Sequence, residues 1–468
     1  MLWLALYFPR FALEVFARGG ITAPPFAVAE KAGRQAWVVE RNDAAAQRGI
    51  RCGMAVAAAQ AMAPDLLLRW RDAAVEGECL AGVATWAGRF TPTLSLQPPH
   101  GLLLEIGGCL RLHQGFENLL RAVRDGLGEL GHEVCAAAAP APHAAWLLAR
   151  AGRQEHVRDV AQLARILDGL PIDVLQQAAE VRQALAAVGV RTLGDCRHLP
   201  RAGLARRFGP GLLEEIERAL GRIPEARDFF VAPPFFRRRL ELPAGTVEAE
   251  ALLFAAHRLL LELEGFLTLR QAGVQEIVLR CCHEHAPDSA IPLGFGKPER
   301  AAGRMRLLLR EMLARTILAA AVVALVIEAR HVLPLPGCNV ELLPEQGERG
   351  DGGLLLERLR ARLGKTAVHG LGLVAEHRPE RAWRAGEAGR ETAVPMTGRR
   401  PFWLLSHPVP CARDRLILQG APERIESGWW DGGDVTRDYY AARDAHGAQW
   451  WVYQDRASGE WFLHGLFA

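Results

Sequence analysis

The N-terminal stretch MLWLALYFPRFALEVF (residues 1–16) predicts the fold class most directly. Its first half is an apolar run that favours a buried strand, and its second half begins a segment with the apolar spacing of a helix. It lacks the basic region and the small-residue cleavage site of a signal peptide, so we interpret it as part of the fold. No aspartate or glutamate precedes Glu14. The stretch therefore predicts an α/β layer whose first strand carries no acid.

The same alternation of strand and helix continues to about residue 160. Short apolar runs bounded by turn residues predict strands at LWLALYF (2–8), AWVVE (36–40), GLLLEIGG (101–108) and HEVCAAAA (132–139). The 3.6-residue period predicts helices at ENLLRAVRDGLGEL (117–130) and HAAWLLARAG (143–152). Together these segments predict an α/β domain in residues 1–160.

Four further regions complete a multi-domain α/β protein. Residues 161–232 are predicted to be helical with short loops. Residues 235–333 are predicted to follow the order β-α-β-β-α-β, a compact sheet with one helical face. Residues 334–398 are predicted to be a Gly- and Glu-rich linker with one helix. Residues 399–468 hold six of the twelve tryptophans and are predicted to form a small antiparallel sheet.

Composition excludes several classes of protein. No apolar run reaches the roughly 18 residues of a membrane span, so we expect a soluble protein. The nine cysteines form no CxxC pair, which predicts neither a zinc site nor a disulfide framework, and free thiols fit the cytosol. The net charge of +3 does not by itself indicate a nucleic-acid partner. No phosphate-loop, dinucleotide or hydrolase motif is present, and we expect no metal and no cofactor.

The segment QALAAVGVRTLGDCRHLP (183–200) predicts two helices joined by an apolar-Gly-apolar turn. Thr192 and Asp195 are spaced as a capping box for the second helix. Such a helix-hairpin-helix can direct backbone N–H groups at a DNA phosphate without reading the base sequence. An ordinary helix-helix corner is the alternative interpretation. With a second Gly-rich turn at RFGPG (207–211), the residues assigned to DNA-backbone contact are Gly189, Val190, Arg191, Gly209 and Gly211.

The order of these regions resembles the Y-family translesion DNA polymerases. VVERNDAAAQRGIRCGMAVAAAQAMAPDLLL (38–68) is similar to the fingers segment of that family, and LLLEIGG (102–108) resembles the strand after its second acidic motif. The resemblance implies a palm with UmuC-like fingers in residues 1–160 (fingers about 29–70), a thumb in 161–232 and a little finger in 235–333. Two C-terminal stretches, APERIESGWWDGGDVTRDYYAARD (421–444) and QWWVYQDRASGEWFLHGLFA (449–468), are most similar within the family to the polymerase-like subunit of the bacterial mutasome.

The catalytic carboxylates of the family have no counterpart here. Active members hold two metal ions with one Asp on the first strand and an Asp-Glu pair on a later hairpin. By resemblance those acidic positions fall on Ala5, Tyr7, His100 and Gly101, and Glu105 is the nearest acid. The nucleotide-binding Tyr and Arg fall on Asp43 and Ala46, and the aromatic gate falls on Pro9 and Arg10. We therefore expect no catalysis. An α/β enzyme of another class, with His100 or His113 as a base or ligand, is the alternative.

The remaining site expectations concern DNA and protein partners. On the little finger the residues assigned to primer-template DNA are Arg237, Arg239, Arg280 and Lys297. A strand edge blunted by charge is the alternative. The residues assigned to protein contact are Trp429, Trp430, Tyr439, Tyr440, Trp450, Trp451 and Trp461, with a hydrophobic core as the alternative. Here the resemblance implies recruitment of an error-prone DnaE-type polymerase and a RecA-like ImuA-type protein.

Contact with a sliding clamp is left open, because Gln346 has no apolar anchors after it. Taken together, these expectations describe a non-catalytic scaffold in error-prone translesion synthesis and SOS mutagenesis, acting in the cytoplasm at the nucleoid. An active translesion polymerase with displaced metal ligands is the main alternative. A purely protein-binding adaptor is the third.

Overall fold

The computed structural model describes residues 1–16, 24–335, 352–364, 366–386 and 400–467. The chain divides into two units, Met1–Gly347 and Glu348–Ala468. The segment around Gln346, where a clamp peptide was considered, lies outside the described residues. Of the helices in the described ranges, none combines the length and the apolar character needed to cross a bilayer.

The N-terminal part of the first unit contains two sheets and six helices. Its strands are β1 (Trp3–Tyr7), β2 (Phe26–Ala32), β3 (Gln35–Arg41), β4 (Leu67–Trp70), β5 (Leu94–Gln97), β6 (Gly101–Glu105) and β7 (Cys135–Ala139). Its helices are α1 (Phe11–Glu14), α2 (Asp43–Gln47), α3 (Val56–Met62), α4 (Ala73–Ala87), α5 (Phe116–Leu130) and α6 (Pro142–Arg150). All four strands predicted from apolar runs are present.

The first sheet has the order β5-β6-β1-β7 with every pair antiparallel. Its central strand β1 is almost wholly buried because β6 and β7 flank it and α6 packs on one face. The second sheet has the order β3-β2-β4, in which β4 runs parallel to β2. These contacts make β1 the strand around which a polymerase-like centre would be built.

A helical block follows, as its apolar periodicity predicted. Its members are α7 (Val160–Asp168), α8 (Ala179–Ala187), α9 (Leu193–His198), α10 (Arg201–Phe208) and α11 (Gly211–Ala219). Buried leucines from these helices join the cluster that covers α6. At its base, Glu215 accepts hydrogen bonds from the Gln176 N–H and Gln177 Nε2, and it pairs with His143 of α6. The block is therefore packed directly against the first sheet.

The third sheet has the predicted order β-α-β-β-α-β. Its elements are β8 (Phe236–Thr246), α12 (Ala249–Leu269), β9 (Ala272–His283), β10 (Ser289–Glu299), α13 (Ala302–Leu313) and β11 (Val322–Ala329), and β12 (Val332–Pro334) pairs with β9. The strands lie in the order β10-β9-β11-β8, all antiparallel. Both helices cover one face, so the opposite face is not covered by a helix of this block.

The second unit contains a five-stranded antiparallel sheet in the order β15-β19-β18-β17-β16. Its elements are α14 (Gly352–Leu363), β13 (Gly370–Leu373), β14 (Trp383–Gly386), β15 (Trp403–Pro410), β16 (Ile417–Ser427), β17 (Val435–Arg443), β18 (Gln449–Asp455) and β19 (Trp461–Leu466). The last three strands coincide with the predicted ones. The periodicity did not identify β15 and β16, which form the two edges of the sheet.

Candidate functional site

The positions assigned to the missing acids come together at one end of β1. Tyr7 lies opposite Gly101 in the register of β1 and β6, and Ala5 lies opposite Leu103. The ring of Tyr7 meets the rings of His100 and Trp146 edge-on, with centroids 5.7 and 5.6 Å away. Burial raises the pKa of Tyr7 and lowers that of His100, which favours the uncharged form of both. The centre is therefore an aromatic cluster without charge.

Trp146 of α6 fills the space that a side chain at position 101 would need. A Cβ placed on Gly101 would lie 2.1 Å from Trp146 Cζ3, far inside contact distance. Ala5 is fully buried between its neighbours on β6 and β7. A carboxylate at position 101 therefore has no room unless Trp146 moves, and one at position 5 would be fully buried. The sequence analysis did not identify Trp146, because its role depends on the packing of α6 across β1.

The nearby carboxylates already have structural partners. Glu105 Oε1 accepts hydrogen bonds from the N–H groups of Leu2 (3.3 Å) and Gly107 (3.1 Å). Glu14 accepts one from the Glu133 N–H at 2.8 Å and pairs with the buried His132 at 2.8 Å. Within the described ranges, no group of three His, Cys, Asp or Glu side chains could hold a metal ion. Both acids are therefore engaged in the fold, Glu105 opposite Trp3 at the far end of β1 and Glu14 beside His132, which contacts Phe8.

The positions assigned to nucleotide binding carry a different set of contacts. Arg10, at the expected gate, donates hydrogen bonds to Asp43 Oδ1 at 3.0 Å and to the Arg41 carbonyl at 3.2 Å. Its guanidinium also lies 3.9 Å from Glu133. Asp43 and Ala46 lie on α2, and since one is acidic and the other apolar, neither supplies a cation for a triphosphate. Arg10 is bound to carboxylates of the chain itself.

The helical hairpin between α8 and α9 has the predicted glycine and capping box. Gly189 has a φ of +86°, and Val190 is buried beneath the turn. The amide groups nevertheless have acceptors within the chain: Gly189 N–H donates to Ala186, and Val190 N–H to Leu185. The Arg191 and Thr192 N–H groups both donate to Asp195 Oδ2, at 3.0 and 2.9 Å.

DNA-backbone contact at the first hairpin stays a prediction. The Asp195 carboxylate is the acceptor for the Arg191 and Thr192 amides at the start of α9, and these backbone hydrogen bonds lower its pKa. The Arg191 guanidinium is exposed and remains the group there that could reach DNA. At the second turn, Gly209 has a φ of +78°, and α11 begins at Gly211 without a capping side chain. Phosphate contact at that turn stays a prediction.

The basic residues of the third sheet lie on the face opposite its helices. Phe236 packs against Phe266 of α12, and the strand alternation turns Arg237 and Arg239 to the other side, where both are exposed. Arg280 of β9 lies in the same row as Arg239, with Val326 between them. Lys297 is exposed on edge strand β10. The predicted arginines therefore share one surface.

The sequence analysis did not identify the acid that organises this surface. The largely buried Glu328 of β11 lies beneath three arginines, with Nε of Arg237 and Arg280 at 3.5 and 3.3 Å and a terminal nitrogen of Arg330 at 3.1 Å. Arg239 pairs with Glu241 at 2.6 Å. Glu328 and Glu241 are therefore the carboxylates that pair directly with these four arginines.

The aromatic residues of the second unit separate into core and surface. Tyr439 and Trp451 are 1% and 2% exposed, and their rings stack with centroids 4.1 Å apart. Their assignment to a protein-binding surface is wrong, because both belong to the core of the sheet. Tyr440, Trp450 and Trp461 are half-buried in a second cluster on the other face. Of the seven residues assigned, Trp429 and Trp430 are the exposed ones.

Comparison with known proteins identifies one matching family description and two named relatives. The family described as "IMS: impB/mucB/samB family" matches residues 6–150. Protein ImuB of Caulobacter vibrioides is 28% identical over 464 residues, covering 90% of this chain and 100% of that protein. DNA polymerase IV of Shewanella oneidensis is 26% identical over 202 residues, covering 42% of this chain and 56% of that protein. The resemblance to an ImuB-type polymerase-like subunit, expected from the C-terminal stretches, is thereby confirmed.

Solved structures similar to this chain are also polymerases. The insertion ternary complex of Dbh DNA polymerase is 18% identical, covers 71% of this chain and 99% of its own, and has a TM-score of 0.41. DinB from Sulfolobus solfataricus is 17% identical, covers 72% of this chain and 100% of its own, and has a TM-score of 0.39.

Proposed function

We propose that this ImuB-like chain is a non-catalytic scaffold in error-prone translesion synthesis and SOS mutagenesis. It keeps the polymerase-like layers, with palm and fingers in 1–160, a thumb in 161–232 and a little finger in 235–333. It acts at the nucleoid, where it holds primer-template DNA and recruits a separate polymerase. The observation that carries this proposal is the uncharged cluster of Tyr7, His100 and Trp146 at the positions of the missing acids. A two-metal reaction needs carboxylates there, since they bind both cations.

DNA binding is proposed for the arginine face of the third sheet and for the second turn of the helical block. Arginine forms strong contacts with phosphate oxygens, and such contacts carry no base specificity. We therefore expect modest, sequence-tolerant binding that weakens steeply with salt. An adaptor without DNA affinity would show no such salt dependence.

Reversing the charge of Arg237 and Arg239 tests that face. We expect the R237E/R239E variant to bind primer-template DNA roughly tenfold more weakly at 0.1 M salt, and the slope of log K against log salt to fall by about two. Fluorescence anisotropy with a labelled primer-template at several salt concentrations measures both. The R237Q/R239Q variant adds no negative charge beside Glu328. We expect it to lower the DNA affinity and the salt slope as well, but by a smaller amount.

The matched control reverses the same number of charges on the helical side of the same sheet. Arg306 and Arg310 of α13 are both exposed, so R306E/R310E alters the net charge equally. We expect this variant to lose only the small affinity due to overall charge. Equal losses in the two variants would show that the arginine face has no special contact with DNA.

Protein recruitment is proposed for the second unit, with an error-prone DnaE-type polymerase and a RecA-like ImuA-type protein as the partners. Because the compact unit begins at Glu348, removing residues 348–468 avoids leaving a fragment of it. We expect this deletion to abolish binding of both partners and the stimulation of lesion bypass, while DNA affinity stays within threefold. Surface-immobilised partners and a primer-extension assay with the DnaE-type polymerase measure the two effects. Recruitment that survives the deletion would contradict the proposal.

A further inference from the structure

The turn between β16 and β17, residues 428–434, holds two tryptophans side by side in water. We call it the tryptophan turn. Trp429 is 76% exposed and Trp430 is 57% exposed, and their rings meet edge-on with centroids 5.3 Å apart. The other aromatic residues assigned to protein contact are buried or half-buried in the sheet. Adjacent exposed indoles of this size mark an interaction surface.

A buried arginine fixes the tryptophan turn. The terminal nitrogens of Arg378 donate to Asp431 Oδ1 and Oδ2 at 2.8 and 2.7 Å, a bidentate pair across the base of the turn. Arg378 also donates to the Gly433 carbonyl at 3.1 Å and to Glu376 at 2.7 Å. Its guanidinium carbon lies 5.6 Å from the centroid of the Trp430 ring. Arg381 also pairs with Asp431. The turn is therefore bound by two arginines from a segment about 50 residues earlier in the chain.

Two glycines show how closely the turn is packed on that arginine. Gly428 has a φ of +92°, and a Cβ there would lie 2.3 Å from the Gly433 carbonyl oxygen and 2.5 Å from an Arg378 nitrogen. A Cβ on Gly433 would lie 2.8 Å from the same nitrogen. Gly428 therefore has no room for a side chain, and at Gly433 the Arg378 guanidinium would have to shift. The backbone that carries the two indoles is thus held in place before any partner binds, which reduces the entropy lost on association.

The charges around the turn decide between a nucleic acid and a protein as the occupant. Single-stranded DNA that stacks on aromatic rings also needs cations for its phosphates. Here the acids are Glu376, Asp431 and Asp434, whereas the cations are Arg378 and Arg381. Together the two arginines are paired with Glu376 and Asp431, so the remaining charge of this set is the exposed carboxylate of Asp434. A negative charge beside the indoles favours a basic partner surface over phosphate.

We propose that Trp429 and Trp430 are the binding hot spot of the second unit, inserting into an apolar pocket with a basic rim on a protein partner. The inference rests on the proposed recruiting function and narrows it to two residues and one chemistry of partner. Large aromatic side chains surrounded by contacts of little energy are typical of such hot spots. Asp434, which is exposed in the same turn, is the acid that would face the basic rim.

The test compares two double variants of the full-length chain. W429A/W430A removes the hot spot, and F402A/W403A removes two other exposed aromatic residues of the same unit. The probes are the purified DnaE-type polymerase, the purified ImuA-type protein and a single-stranded oligo-dT. We expect W429A/W430A to bind at least one of the two proteins about 100-fold more weakly, with F402A/W403A within threefold of wild type. Affinity for oligo-dT should not change in either variant.

Each other outcome is informative. If W429A/W430A binds both proteins like wild type while deletion of 348–468 abolishes binding, the recruiting function stands and this inference is overturned. If the deletion also has no effect, both fail. A loss of oligo-dT affinity confined to W429A/W430A would make the turn a nucleic-acid site and overturn the proposal. Hydrogen exchange of β16 and β17 should match wild type in both variants, which establishes that the sheet has folded.

A charge variant tests the basic rim separately. Asp434 is exposed in the turn, and D434K reverses its charge without touching either indole. We expect the complex that depends on the tryptophans to weaken about fivefold and to lose part of its salt dependence. An unchanged or tighter complex would overturn the basic rim.

Discussion

Primer-template DNA saturated with this protein is expected to gain no nucleotide, with either Mg²⁺ or Mn²⁺. The reaction needs two cations bound by carboxylates, and Tyr7, His100 and Gly101 supply none. Glu105 is held by two backbone N–H groups at the other end of β1, where it lies opposite Trp3. Single-nucleotide incorporation on a labelled primer measures this, with an active Y-family enzyme on the same substrate as the positive control.

Restoring acids should not restore activity. In H100D/G101E the new side chain at 101 must displace Trp146, because the Cβ position lies 2.1 Å from Trp146 Cζ3. We expect this overpacking to destabilise the first unit by about 3 kcal/mol and to leave extension at background. H100D alone, without the clash, should cost much less stability and also remain inactive. Template-dependent extension by the wild type or by either variant, repeated across preparations, would contradict the scaffold proposal.

Replacing Trp451 with alanine is expected to lower the free energy of unfolding of the second unit by about 3–5 kcal/mol. Trp451 is 2% exposed and stacks on Tyr439, while the guanidinium carbon of Arg400 lies 5.2 Å from its ring centroid. Truncation would therefore leave a cavity in the centre of a small core. Hydrogen exchange of the β16–β19 amides in the full-length chain measures the change, because these amides exchange when the sheet opens.

Trp429→Ala is the control for this prediction, since it removes the same side chain from an exposed turn. We expect its effect on the same amides to stay within about 0.5 kcal/mol. Because both variants remove a tryptophan, one buried and one exposed, comparing them separates the effect of burial on stability from the effect of residue type. Similar losses of protection in both would mean that the assignment of Trp451 to the core is wrong.

The sequence predicted the arrangement of the third sheet and the last three strands of the second unit. Both predictions depend on local periodicity, which a segment such as FFRRRLEL (235–242) shows without reference to the rest of the chain. Alternation alone placed Arg237 and Arg239 on one face. The capping box of Thr192 and Asp195 was also visible locally.

The sequence could not show which backbone amides the capping-box carboxylate binds in the folded turn. The hydrogen bonds from the Arg191 and Thr192 amides to Asp195 follow from the folded turn, and they give both amides an acceptor within the chain. The tryptophan pairs were ambiguous for a related reason. Alternation separates Trp450 from Trp451 onto opposite faces, but only the packing of the sheet shows which face is the tighter core.

The sequence by itself determined that Ala5, Tyr7, His100 and Gly101, the positions that the resemblance assigns to catalytic acids, carry no carboxylate. Tertiary structure alone decided which side chains pack around these positions and which aromatic residues face water. Trp146 reaches Gly101 from a helix 45 residues further along the chain, and Arg378 reaches Asp431 across 53 residues. Contacts between residues so far apart depend on how whole elements pack, and no local pattern encodes them.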